Sequence, residues 1–428
     1  MRIAALALLL GLACAPLAAA TAPERLSDAG ALQSFEAALR DLQAGRRTRP
    51  VHVLQIGDSH SAADLISGAL RDRLQARYGS GGRGVLIPGA PYPGLVQRLV
   101  DVQASGWRIE YSLAPAGRAP TPASGPYGLS GFRLVADSPG ARLSLAAEPA
   151  AGFDRATVCL ETGHAGADLV VTAGQERRPV SLPADSGPTC RAFDFPALQT
   201  RLDLTVERGG ATVLSWASFR REGGVVLSNL GVVGAQLSHF AQRDDRALAV
   251  ELEAYRPDLI VLAFGTNEGF ASDIDPVAYE QLLRDQIRRL RRLSGGAPVL
   301  VLGAPDAATI RPDLLTDGID REYPACGGLS EAERRDYATL VEHRSPALER
   351  WYAPPMLDVV RTAQRRAAAA EGAAFWDWEQ AMGGACGAHA LTAGDPPLMR
   401  RDHVHFTAHG GAMIAERLFD DLMRAGEN

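Results

Sequence analysis

The chain contains no lysine: all 44 Lys-or-Arg positions are arginine. Lysine Schiff-base and lysine-nucleophile chemistry are therefore excluded. There is no block of basic residues either, and the formal net charge is −6. A nucleic-acid partner needs a positive face, so none is expected. No segment reads as a bilayer span, and the apolar run near the N-terminus is too short for one. None of the five cysteines stands in CxxC spacing. That argues against a structural zinc site.

What is present points to an exported globular chain. Residues 1–20 carry Arg2, an apolar run, and a small-residue end, Leu17-Ala18-Ala19-Ala20. This reads as a secretory signal cut near Ala20, with a periplasmic or secreted product. Cys14 follows Gly11-Leu12-Ala13, a poor lipoprotein site because glycine stands where leucine is expected. Removing the signal leaves Cys159, Cys190, Cys326 and Cys386. An even set in an exported chain suggests disulfides, with three pairings open. Cys159–Cys190 with Cys326–Cys386 is favoured, because each pair falls inside one inferred unit. The 428 residues exceed one compact core and imply two or three folding units.

The pattern along the chain divides it. Residues 31–46 read as an amphipathic helix ended by Gly45. Residues 51–64, VHVLQIGDSHSAAD, run from an apolar strand through a tight turn into a helix. The glycine-rich stretch 79–84 lacks the GxxxxGK[ST] pattern and follows a helix, so it is not read as a phosphate loop. Between about 107 and 221 helical periodicity gives way to short alternating runs, including 157–161, 168–172, 201–207 and 213–219. This is the pattern of an all-β sandwich. Strand and helix patterns resume at 225–233, 237–255, 258–264, 276–293, 298–303, 330–370, 373–378 and 410–424. Alternation of that kind predicts an α/β fold with a doubly wound, flavodoxin-like parallel sheet. The expected organisation is a signal peptide at 1–20, an α/β domain in two parts, 21–105 and 223–428, and a β insertion at 106–222.

Four clusters fall at strand ends or on the loops that follow. They are Gly57-Asp58-Ser59-His60, Asn229-Leu230-Gly231-Val232-Val233-Gly234, Gly265-Thr266-Asn267-Glu268, and Asp402-His403-Val404-His405. A serine hydroxyl is a weak nucleophile and needs a base. A histidine serves near neutral pH, and a carboxylate fixes its tautomer. Asp402 and His405 are three apart, which in a helical turn puts them on one side. Ser59 as nucleophile, His405 as base and Asp402 as orienting acid satisfy that logic. The Ser59 N–H, the Gly234 N–H and the Asn267 amide would hold the oxyanion. Glycine at 234 would keep a Cβ away from the bound carbonyl. Asp58 and His60 are read as organisers of the first turn, and Glu268 as a brace of its loop. Asp402 with His403, His405 and His409 imitates a metal cluster, but HEXXH spacing is absent and no metal is expected. Trp351, Trp376 and Trp378 are read as core, with a sugar-stacking platform as the alternative.

These four blocks resemble the SGNH (GDSL-type) esterase superfamily, named for a Ser, Gly, Asn and His in separate blocks. GDSH for GDSL, GTNE for GxND, the stretch LRDRLQARYGSGGRG and the β insertion resemble its periplasmic peptidoglycan O-acetylesterase branch. In that branch the insertion is a carbohydrate-binding-module-like sandwich. The resemblance implies a serine esterase without cofactor that removes O-acetyl groups from an acetylated glycan through an acetyl-enzyme. The alternatives are a same-fold polysaccharide O-acetyltransferase, a lipase or thioesterase, and an inactive glycan-binding protein.

Overall fold

A computed structural model describes residues 24–92, 95–113, 125–314 and 325–426. The signal-peptide and Cys14 readings fall outside these residues. The apolar runs become the strands Val51–Gly57 (β1), Val225–Gly231 (β2), Leu259–Ala263 (β3), Val299–Leu302 (β4) and Ala374–Trp376 (β5). They are parallel, in the order β2-β1-β3-β4-β5, and Leu26–Ser27 pairs antiparallel on the β5 edge. Every residue of these five strands is buried, as expected for a sheet covered on both faces. One face packs on Leu283, Ile287 and Leu290 of helix Pro276–Ser294 and on Val360 and Ala363 of helix Pro355–Ala370. The other packs on helices Gln33–Gln43, Ile66–Tyr78 and Ala408–Ala425 through Leu39, Leu70 and Leu418. The sheet is doubly wound, and its order reverses around β1, the place where such sheets bind ligands.

The β-rich unit is built differently in detail from the alternating pattern. Its layers are halves of one antiparallel sheet of nine strands that curls on itself. Segments 157–161 and 168–172 are two ends of one strand, Phe153–Ala173, and 201–207 and 213–219 are two ends of Arg201–Phe219. The register slips at Val206/Arg208, Gly209/Ala211 and Val213/Ser215. Such bulges bend a strand without ending it. Glycines that read as turns are therefore corners. Leu143, Leu169, Leu204 and Trp216 share the enclosed core. Strands Gly82–Leu86 and Val100–Ser105 also pair into this sheet, so its membership begins before residue 106.

Two further differences are local. The helix expected over 237–255 is broken into Leu237–Ala241 and Asp245–Tyr255, because Asp244 caps the second by accepting from the Ala247 N–H. The region 330–370, read as largely helical with a break at Pro354-Pro355, does restart there as Pro355–Ala370, but its first part is the two short helices Glu331–Arg335 and Tyr337–Glu342. Both favoured disulfides, Cys159–Cys190 and Cys326–Cys386, are present.

Candidate active site

Three of the four blocks leave the sheet side by side. Gly57 at the end of β1 is in register with Gly231 of β2 and Ala263 of β3. The Val232 N–H donates to the Gly57 carbonyl at 3.0 Å, and the Asp58 N–H to the Ala263 carbonyl at 3.2 Å. Gly231 allows this approach, since a Cβ there would lie 2.0 Å from the Ala62 nitrogen. The helical turn Ser59–Ala62 follows at once, capped by Asp58, whose Oδ1 accepts from the His60 N–H at 3.0 Å.

Ser59 meets His405 across this edge. Its Oγ is 3.0 Å from His405 Nε2, and His405 Nδ1 is 2.8 Å from Asp402 Oδ2. Asp402 Oδ1 accepts from the Val404 and His405 N–H groups at 3.0 and 2.9 Å. One carboxylate thus shapes the loop and aims the ring. The pair does not meet on a helix, as its spacing suggested, but in a tight turn where His403 takes a left-handed conformation, φ 57°. Burial raises the Asp402 pKa. The hydrogen bonds from His405 and the two amides outweigh it and hold the group well below the usual carboxylate range. The side chains of His405 and Asp402 stay 38% and 40% exposed, so the site is open. His403 is buried and stacked on Trp351 at 3.7 Å between centroids, turned away from Ser59's partner.

The expected oxyanion donors stand on the neighbouring loops. Gly234 has φ 77°, a backbone that L side chains rarely adopt. No protein atom lies within 4 Å of where its Cβ would be. Backbone conformation and open space toward the groove, not crowding by protein atoms, set glycine there. Asn267 sits on the Thr266–Gly269 turn after β3, and its Nδ2 donates to the Ala235 carbonyl at 2.8 Å. That bond uses one amide hydrogen and leaves the other. Glu268 accepts from the Leu237 and Gly265 N–H groups and joins these two loops. Burial pushes its pKa up to about 7.

The arrangement can take a proton from a serine hydroxyl and offer N–H groups to the charge that results. The model of the GDSL-like lipase/acylhydrolase family matches residues 204–413, a span that includes Gly234, Asn267, Asp402 and His405. The solved structure of a peptidoglycan O-acetylesterase is similar at 25% identity with a TM-score of 0.72, covering 94% of this chain and 99% of that one. The chain belongs to the SGNH (GDSL-type) hydrolase superfamily. It is a carboxylic ester hydrolase. A family two carbohydrate esterase from Clostridium thermocellum is less similar, at 11% identity over 68% of this chain and 93% of that one, TM-score 0.27. A salicylyl-acyltransferase from a tetracycline biosynthetic pathway has 13% identity over 69% and 83%, TM-score 0.30. No curated protein sequence matches the chain.

In this GDSL-type hydrolase the structure adds residues that sequence reasoning passed over. Asp64 accepts from Arg71 at 3.0 Å and from Arg83 at 3.0 Å, all three fully buried. Both arginines also donate to Asn229 Oδ1, and Asn229 Nδ2 donates to the Ser61 carbonyl. The stretch that resembled the peptidoglycan branch therefore contributes Arg71 and Arg83 beneath the Ser59 turn. Gly84 lets the Arg83 strand pass β2, since a Cβ there would lie 2.3 Å from Ser228 Oγ. Phe270, three residues after Asn267, is 38% exposed, and Val233, immediately before Gly234, is 55% exposed. Among the described residues Phe270 is the aromatic side chain left exposed. Trp351, Trp376 and Trp378 are buried, as read.

Proposed function

We propose that this hydrolase is an exported serine esterase that removes O-acetyl groups from a cell-wall polysaccharide, peptidoglycan before others. The Ser59–His405–Asp402 relay in an open groove carries the reading. The likeness to a peptidoglycan O-acetylesterase along nearly the whole chain supports the substrate.

His405 Nε2 takes the Ser59 proton as Oγ attacks the acetyl carbonyl. The tetrahedral oxyanion is held by the Ser59 and Gly234 N–H groups and the second Asn267 amide hydrogen. The imidazolium then returns its proton to the departing sugar oxygen. Water, deprotonated by His405, hydrolyses the acetyl-enzyme to acetate and restores Ser59. The residues supply every step without a cofactor. A small pocket beside His405 is lined by His60, Ala63, Leu65, Ile66, Arg400 and Phe406.

The deciding experiment is acetate release from purified O-acetylated peptidoglycan, set against hydrolysis of short- and long-chain p-nitrophenyl esters. Release from the polymer with a preference for acetyl supports the reading. Preference for long chains favours the lipase alternative and overturns it. The β unit at 106–222 is assigned to presenting the glycan strand, and equal efficiency on the polymer and on p-nitrophenyl acetate would contradict that part.

Phe270 and Val233 are assigned to a platform for the sugar ring. Asn267 and Phe270 share one side of their turn, while a Cβ at Gly269 would point into Leu357. Phe270→Ala is expected to raise KM for the polymer roughly three- to tenfold. Its kcat on p-nitrophenyl acetate should change little. An unchanged polymer KM would remove Phe270 from substrate binding.

A further inference from the structure

His60 stands where GDSL-type chains carry leucine. It is 4% exposed, and both ring nitrogens face acceptors. Nε2 lies 2.9 Å from the Val404 carbonyl oxygen and Nδ1 lies 3.3 Å from Asp58 Oδ1. The Thr266 hydroxyl, 3.4 Å from Nδ1, can turn to accept as well. A neutral imidazole donates from one nitrogen only, and donation from both requires the imidazolium. The ring also packs 5.4 Å from Trp378, 5.8 Å from Phe406 and 5.5 Å from His405, centroid to centroid. Asp58, Asp402 and His405 are the titratable groups that face it. Burial pulls the His60 pKa down, but Asp58 and the Val404 carbonyl outweigh it and the net movement is upward. Val404 immediately precedes the proposed catalytic base. The carbonyl gripped by His60 therefore belongs to the peptide that carries His405.

The geometry points to His60 as a positioning residue: a buried imidazolium that ties the Val404 peptide to the Asp58 turn and fixes the aim of His405. This rests on the Ser59–His405 reading above. The His60 ring borders the small pocket beside His405, and its effect on the reaction is exerted through the Val404 peptide and His405.

The test uses His60→Gln and His60→Leu with p-nitrophenyl acetate. Both are expected to lower kcat about tenfold or more with KM nearly unchanged. In the wild-type protein with ¹⁵N-labelled histidine, one ring should show both nitrogens protonated at neutral pH, and His60→Gln should lose that signal. A lowered melting temperature with kcat unchanged would mean a structural role and overturn the inference, as would the missing imidazolium signal. If His60→Leu does not fold, His60→Gln carries the test. Loss of hydrolysis in Ser59→Ala beside an unchanged kcat in the His60 variants would sink this inference alone. Retained hydrolysis in Ser59→Ala would sink the active-site reading, whatever the NMR signal of His60.

Discussion

Ser59→Ala is expected to cut acetate release from O-acetylated peptidoglycan by about 10⁴-fold or more, and His405→Ala to fall to nearly the same floor. The two side chains work as one unit. Oγ is a poor nucleophile without the imidazole 3.0 Å away, and the imidazole has no proton to take without Oγ. The double variant should therefore be no worse than either single one. A residual rate above uncatalysed hydrolysis should remain, because Asn267 and the backbone donors still favour the oxyanion. Labelling by a fluorophosphonate should vanish with Ser59 and persist in Phe270→Ala. A Ser59→Ala chain within tenfold of the wild type would remove the hydroxyl from the reaction.

Why this site could be found without coordinates is instructive. A change of period, from an apolar strand to a helical repeat, marked the turn that carries Ser59. The structure seats that turn at the end of β1, level with its two neighbours. The alternation of strand and helix predicts the doubly wound parallel sheet, while the order of its strands is set by the folded chain. The buried cluster beneath was not legible. Arg71 lies in the helix Ile66–Tyr78, and only the folded chain brings Asp64, Arg83 and Asn229 around it. Corners and ends of strands also look alike in composition. Gly209 and Gly210 bend a strand that continues, whereas Gly174 lies beyond the end of one. A single exposed aromatic such as Phe270 carries no period at all, so nothing in the pattern singled it out.

The acid of the relay gives the second large expectation. Asp402→Asn should lower kcat for p-nitrophenyl acetate by about 10³- to 10⁴-fold with little change in KM. Asp402 accepts on both oxygens, from two backbone N–H groups on Oδ1 and from the ring on Oδ2. Asparagine has one accepting oxygen. If that oxygen keeps the backbone bonds, the amide NH₂ faces His405 Nδ1 and donates to it. Nδ1 must then carry no proton, and Nε2 carries one instead. The ring presents an N–H to Ser59 where a lone pair is needed, and the serine proton has nowhere to go. If the oxygen faces the ring, the amide hydrogens oppose the Val404 and His405 N–H groups and the loop opens. Either outcome disables the base, so the near-isosteric asparagine should cost at least as much as Asp402→Ala, which leaves both tautomers available. Because its partners hold Asp402 ionised well below neutral pH, its titration cannot supply the acid limb of the wild-type profile. An Asp402→Asn chain within tenfold of the wild type would show that the carboxylate only shapes the loop.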